Sequence, residues 1–216
     1  MNEKNQLARP FALPVPTIRR YPVYLRCINE MIAAGETHIS SAVVAERLGL
    51  DAVLARKDLA MAGVPGKPRR GYPAAELQAA ITAALGWDDS TNAVLVGVGS
   101  LGNALLGYSG FKEQNLSIAA AFDASPRIVG RTMHGVRVHP MEDLPRLVKR
   151  LKTRLGIITV PNAAGQSCAD RLVAAGIRGI WNFTSVRLVV PDGVIIQNVD
   201  LAQSLAVLSH AISGRH

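Results

Sequence analysis

The sequence predicts an α/β chain in two parts: a small helical N-terminal domain with a basic turn, then a doubly wound parallel sheet closed by an apolar helix. Three observations carry this. Residues 92–123 read as buried strand, glycine turn, helix and second strand. From residue 92 to 199, β-branched runs alternate with helical patterns, as parallel strands joined by crossovers do. Ahead of them, residues 21–72 hold three short helical periods and a basic segment broken by glycine and proline.

Composition sets the frame. With 216 residues, 49% apolar and 19% charged, the chain suits two small domains or one large one. No apolar run reaches a membrane-spanning length, and residues 1–17 carry Lys4 and Arg9 without a sustained apolar stretch. Neither a secretory signal nor an anchor is expected, and the simplest location is cytoplasmic. Cys27 and Cys168 fall in separate helical patterns without a neighbouring Cys or His cluster, so both read as buried thiols and no metal site is expected. The net charge of +8 invites a polyanionic partner. Residues 1–75 carry 11 Lys/Arg against 6 Asp/Glu, whereas residues 76–216 carry 13 against 10, so the basic excess sits outside the sheet.

Residues 1–20, with three prolines, read as a mildly basic arm joining a helix near Tyr21, with Pro22 in its first turn. Val23, Tyr24, Cys27, Ile28, Met31 and Ile32 keep helical spacing until Gly35. A second helix starts after Ser40 or Ser41 and stops at Gly49. A third is capped by Asp51, carries Val53, Leu54, Leu59 and Met61, and stops at Gly63. Three short helices with a glycine turn before the last outline a helix-turn-helix, and Gly63–Tyr72 suits a wing. Such a unit would place Arg56 and Lys57 in a major groove, with Lys67, Arg69 and Arg70 on phosphate or the adjacent minor groove, so double-stranded DNA is the expected partner. Pro73 starts a further helix, residues 74–85.

The next stretch carries a nucleotide signature. Ala93–Val98 reads as a buried strand, and Gly97-Val98-Gly99-Ser100-Leu101-Gly102 is a G-x-G-x-x-G. Gly97 permits the tight turn, Gly99 lets backbone approach a pyrophosphate, and Gly102 lets the helix pack on the strand. The phosphates would sit at that helix N-terminus. The second strand, Leu116–Phe122, ends in Asp123, 21 residues after Gly102. A carboxylate there accepts the adenosine ribose hydroxyls and repels a 2′-phosphate, which favours NAD+ and NADH over their phosphorylated counterparts. Alone, Asp123 also reads as a turn residue before Ser125-Pro126.

The alternation continues as a strand at Gly135–Val138, a helix at Asp143–Thr153, a strand at Leu155–Val160, a helix at Ala163–Ala175 and a strand at Gly179–Phe183. Two further β-like runs follow, Val186–Val190 and Val194–Val199. The last helix, Asp200–Ile212, has Leu201, Leu205, Leu208 and Ile212 on one side, and must bury that side against its own sheet or a second subunit. Domain limits are expected at 1–86, 87–199 and 200–216.

A winged helix-turn-helix unit fused to one Rossmann unit resembles the Rex family of bacterial redox-sensing transcriptional repressors. The resemblance is carried by Tyr24-Leu25-Arg26, Arg56-Lys57-Asp58-Leu59, Arg70-Gly71-Tyr72, the glycine loop through Asn103, Tyr108-Ser109-Gly110-Phe111, Val160 through Gln166, Gly179-Ile180-Trp181-Asn182-Phe183 and Asn198-Val199-Asp200. It implies a homodimer that exchanges its C-terminal helix, binds an inverted-repeat operator and releases it when NADH, competing with NAD+, is bound. It places Tyr108, Pro161, Asn182 and Phe183 near the nicotinamide half of the ligand, and pairs Arg26 with Asp200 in the DNA-bound form. Asp200 also reads as the N-cap of the last helix. The family often has an aromatic residue after this acid, where this chain has Leu201; the segment Gly63–Tyr72 also carries Pro65 and Pro68.

Two other readings compete. An NAD-dependent dehydrogenase would need His134, His139 or Tyr108 beside the nicotinamide, and leaves no room for a substrate domain. A coenzyme A or other nucleotide module would use the N-terminal helices to bind protein, which Asp123 and the basic wing disfavour. The chain is therefore expected not to be an enzyme.

Overall fold

The computed structural model describes residues 13–88 and 91–213, without the side chains of residues 201 and 204. The chain divides between residues 89 and 90 into two compact units. In the first, helix α1 (Val15–Ala33) packs with α2 (Ser41–Leu48), α3 (Ala52–Ala60) and α4 (Ala74–Ala84). Strand β1 (His38–Ile39) pairs antiparallel with β2 (Tyr72–Pro73). Tyr21, Tyr24, Ile28, Ile39, Val44, Leu59, Leu77 and Ile81 are fully buried together. Each contributes about 1.5–3 kcal/mol of transfer free energy, which is what holds helices this short.

Helix α1 begins six residues earlier than its apolar period suggests. Pro16, not Pro22, occupies the first turn, and Pro22 lies inside the helix. The extra residues are helical because Thr17 and Arg20 bond to a carboxylate on α3, described below. The expected arm at residues 1–12 lies outside the described residues. Helix α3 also turns differently from its apolar pattern: Ala55, Asp58 and Leu59 face inward, while Val53 and Met61 are 47% and 44% exposed.

The second unit is a seven-stranded sheet in the order β5-β6-β4-β3-β7-β8-β9. The strands are β3 (Thr91–Val96), β4 (Leu116–Asp123), β5 (Thr132–Met133), β6 (Val136–Pro140), β7 (Leu155–Ile158), β8 (Gly179–Asn182) and β9 (Ile195–Asn198). All neighbours are parallel except the edge hairpin β5–β6. Without that edge strand the order is the Rossmann 3-2-1-4-5-6, and the direction of winding switches between β3 and β7. Val94, Val96, Phe122 and Ile158 point to one face, under Leu144 and Leu147 of α7 (Leu144–Leu151) and Leu172 of α8 (Asn162–Ala174). Ala93, Leu95, Ala121 and Ile157 point to the other, where Leu106 of α5 (Ser100–Leu106) and Phe111 of α6 (Gly110–Glu113) cover them. Burial on both faces explains why these strands read as unbroken apolar runs.

One expected strand is absent: Val186–Val190 forms no ladder. The Gln166 side chain takes the place of a strand partner, accepting from the Val189 N–H at 2.9 Å and donating to its carbonyl at 2.8 Å. Leu188 alone of that run is fully buried. The last helix, α9 (Leu201–Ser213), presents every described side chain to solvent, with Leu205, Val207, Leu208 and Ile212 57–72% exposed.

Candidate functional site

Strand β3 ends at Val96, and Gly97 turns the chain with φ +96°. The loop is packed from below by the segment after β7. The Thr159 hydroxyl donates to the Gly97 carbonyl at 2.6 Å, and a Cβ on Gly97 would come within 2.7 Å of the Thr159 carbonyl. At Gly102 a Cβ would overlap the Gly97 carbonyl and sit 2.9 Å from Thr159 Oγ1. Gly99, by contrast, faces open space, with nothing within 4 Å of a Cβ position. Gly97 and Gly102 are thus needed by the fold, whereas nothing in the fold itself requires a glycine at Gly99. Ser100 and Leu101 are exposed at the start of α5, whose first amides lack intrahelical acceptors.

Asp123, at the end of β4, accepts from the Val98 N–H at 2.7 Å and the Ser125 N–H at 2.8 Å. The carboxylate therefore clamps the loop and caps the turn, and each oxygen keeps a lone pair for a further donor. A cleft of about 340 Å³ joins these parts, lined by Gly97, Gly99, Asp123, Thr159, Val160 and Pro161 among others. Ile128, Met141 and Ala164 make its wall apolar. Cys168 also lines it, buried as expected, with its thiol pushed up by that burial. Thr159 went unmarked in the sequence because its partner lies 62 residues away.

On the other side of the switch point, Pro161 follows β7, Asn182 ends β8 and Phe183 follows it. Asn182 is fully buried and committed: its amide donates to Asn198 Oδ1 at 2.9 Å and accepts from the Thr184 N–H at 3.0 Å and hydroxyl at 2.8 Å. It shapes the strand end, whereas Phe183 is half-buried against Trp181 at 4.9 Å. Tyr108 does not line the glycine-loop cleft. It follows α5, is 56% exposed, stacks edge-on with Phe111 at 4.9 Å, and lines a different cavity together with His134 and His139. Neither histidine lines the glycine-loop cleft. Burial lowers the proton affinity of His139 despite Asp143 at 3.8 Å.

In the first unit Arg56 and Lys57 project from the outer side of α3, exposed and without an ion-pair partner among the described residues. Asp51 caps α3, accepting from the Leu54 N–H at 2.8 Å. The wing closes as a tight hairpin: the Lys67 N–H donates to the Gly71 carbonyl at 2.8 Å and the Gly71 N–H returns to Lys67 at 2.9 Å. Arg69 takes the left-handed turn position, φ +62°, and Gly71, φ +82°, abuts the Ile39 carbonyl so closely that no side chain would fit. Lys67, Arg69 and Arg70 are all exposed on this hairpin.

The residue that orients α3 is Asp58, 2% exposed. Its carboxylate accepts from Thr17 Oγ1 at 2.8 Å, Arg20 Nε at 2.6 Å and Nη2 at 2.9 Å, and Tyr24 OH at 2.8 Å, while Tyr21 OH donates to its carbonyl at 3.1 Å. Burial alone would push the carboxyl up, but the donors outweigh it and hold it below its ordinary value. The same burial pushes Tyr21 and Tyr24 up to about 12. Arg26 is exposed on α1, and Asp200 is exposed before α9, accepting from the Ala202 N–H at 2.9 Å as an N-cap does. The Leu201 side chain lies outside the described residues.

Fold and site together define a protein of two units, a basic winged helix-turn-helix and a Rossmann unit with a glycine-rich nucleotide loop. Among the described residues no helix is long and apolar enough to cross a membrane, and no group of three or more potential ligands is placed to hold a metal. The family model described as "CoA binding domain" matches residues 88–186, and that described as "Putative DNA-binding protein N-terminus" matches residues 12–60. The redox-sensing transcriptional repressor Rex of Treponema denticola is 44% identical over 89% of this chain and 92% of its own length. That of Porphyromonas gingivalis is 43% identical over 91% of this chain and 90% of its own. Solved structures of RSP, a Rex-family repressor, are similar throughout. Its complex with NAD+ and operator DNA has a TM-score of 0.87 at 36% identity, covering 93% of this chain and 92% of that one. Its NADH complex has a TM-score of 0.81 at 36% identity, covering 93% of this chain and 94% of that one. The chain belongs to the Rex family of redox-sensing transcriptional repressors.

Proposed function

We propose that this protein is a cytoplasmic repressor that binds an inverted-repeat operator and releases it when NADH occupies the glycine-loop cleft. The observation that carries the reading is the Asp123 carboxylate, locked onto the Val98 N–H at 2.7 Å beside the open Gly99, in a chain whose other unit presents an exposed Arg56 and Lys57. The pyrophosphate lies over Gly99 and Ser100, where backbone amides face out. The adenosine ribose meets Asp123, and the nicotinamide extends toward Pro161 and Phe183 at the ends of β7 and β8. Coenzyme A, which one family model names, carries a ribose phosphate that Asp123 would repel. The relatives named as redox-sensing transcriptional repressors support reading the protein as a regulator rather than an enzyme.

NADH carries a neutral, puckered ring where NAD+ carries a flat cation, so an apolar pocket prefers the reduced form. Only such a difference in affinity shifts the balance between DNA-competent and DNA-incompetent states. Operator DNA must then weaken NADH binding by the same factor. A homodimer supplies the two heads that inverted half-sites require. The exposed stripe on α9 supports it, because leaving Leu205, Val207, Leu208 and Ile212 in water forgoes on the order of 5 kcal/mol per helix. Exchange of this helix between subunits, with Asp200 answering the partner's Arg26 in the DNA-bound state, completes the proposal. Direct titration of NADH, followed by its own fluorescence, tests the ligand. Saturation by NADH, displacement by NAD+ at higher concentration, and little competition by NADPH or coenzyme A are expected; equal competition by all four would overturn the assignment of Asp123.

A further inference from the structure

A second cavity, of about 580 Å³, lies in the nucleotide-binding unit and shares no lining residue with the glycine-loop cleft. Lys112, His134, Arg137, His139 and Arg150 line it, and no aspartate or glutamate does. Among the described residues Lys112, Arg137 and Arg150 have no ion-pair partner. Asp143, the carboxylate that meets His139 at 3.8 Å, is bonded to Arg146 at 3.0 Å and stays outside the lining. Arg137 and Arg150 are near enough to His139 to depress its proton affinity further, behind the larger effect of burial. Like charges gathered around one cavity repel, and an anion between them relieves that repulsion.

Leu106, Phe111, Ile118 and Val136 give the cavity an apolar floor, beside the hydroxyls of Tyr108 and Ser117. One wall is held in an uncommon geometry. His134 adopts φ +50°, which residues with a Cβ rarely take, and its ring lies where a Cβ on Gly107 would be 2.7 Å away. The missing side chain at Gly107 is what admits the imidazole. A concave site with an apolar floor and a few converging polar groups is the usual form of a small-molecule pocket.

We propose that this cavity is a second ligand site, taking a small organic dianion with an apolar body, a phosphate ester or a dicarboxylate, whose charges bridge Arg137 and Arg150. It differs from the nucleotide site in place and in chemistry, and it stands or falls independently of NADH binding. Its occupancy has a local reporter, since Phe111 touches both the cavity and Trp181, ring to ring at 5.8 Å.

The test is calorimetric titration of the full chain with butyl phosphate and, separately, with adipate, against sodium chloride of equal ionic strength. Trp181 fluorescence in a Trp87→Phe background gives a second readout. A saturable signal with a Kd of about 1 mM or tighter is expected from at least one probe. The identity of the better probe decides between phosphate ester and dicarboxylate. Arg137→Ala combined with Arg150→Ala should weaken binding at least about tenfold, as loss of charge-assisted bonds does. Arg178→Ala, exposed on the same unit but outside the cavity, should leave it unchanged. NADH titration of every variant reports folding, and Lys112→Ala, with an expected loss of about threefold or more, serves if the double variant loses NADH binding too. Absence of saturation in both readouts, or equal weakening by Arg178→Ala, would overturn the proposal.

Discussion

Replacing Asp58 with alanine should be the most damaging single change in the DNA-binding unit. It strips one acceptor from Thr17, Arg20 and Tyr24 at once and leaves the guanidinium of Arg20 facing buried hydroxyls. Breaking a buried pair by removing one partner costs about 3–5 kcal/mol. Arg20 keeps 27% of its side-chain surface in water, which lowers the expectation to about 2–4 kcal/mol. At a urea slope of about 1 kcal/mol/M for a unit of this size, the midpoint should fall by about 2–4 M. Trp87, packed on the core of this unit, reports the transition in a Trp181→Phe background. Asp58→Asn keeps the shape and one acceptor and should cost about half as much. The pH dependence follows from the lowered carboxyl. The charge contributes stability fully above the unfolded value near 3.8, and loses it as pH falls through the folded value below that. The gap between the native chain and Asp58→Asn should therefore close on acidification below about pH 4. A midpoint shift under about 0.3 M at neutral pH, or a gap that does not narrow in acid, would refute the clamp.

Other expectations separate fold from ligand. Gly102→Ala should destabilise the nucleotide unit by about 2 kcal/mol or more, because its methyl meets the Gly97 carbonyl, whereas Gly99→Ala should melt like the native chain and lose NADH affinity; thermal melts beside NADH titrations check both. Asp123→Ser should narrow the preference for NADH over NADPH at least about tenfold in competitive titration. Arg56→Ala or Lys57→Ala should weaken operator binding, and for each phosphate no longer neutralised the slope of log K against log salt should fall by about 1. Tyr21 and Tyr24, raised to about 12, favour the folded state fully below about pH 10. That contribution should disappear between about pH 10 and 12, with two tyrosines ionising late at 295 nm.

The sequence-legible part of this molecule was local. The glycine loop, its strand and Asp123 follow one another within 31 residues, and structure brings them together as the spacing implies. The exposed basic positions on α3 and the wing were equally legible, since exposure leaves charge patterning intact. What escaped depends on distant partners. Asp58 reads as one more charge in Arg56-Lys57-Asp58 until Thr17, Arg20 and Tyr24, 34 to 41 residues earlier, close over it. The same contacts extend α1 past its apolar period. Val186–Val190 looks like a strand because its residues favour one, and only the Gln166 side chain shows where its hydrogen bonds go. Tyr108, Asn182 and Phe183 came from resemblance. Asn182 is spent inside the strand end, while Tyr108 lines the second cavity and is linked to Phe183 ring to ring through Phe111 and Trp181.

The central claim is that one ligand in its reduced form controls DNA binding. Fluorescence anisotropy of a labelled inverted-repeat duplex, titrated with the protein at fixed moderate salt without nucleotide, with NAD+ and with NADH, tests it most directly. The account predicts binding in the first two samples and release by micromolar NADH. Binding that neither nucleotide changes would contradict it, and would leave a DNA-binding protein whose Rossmann unit reads some other ligand.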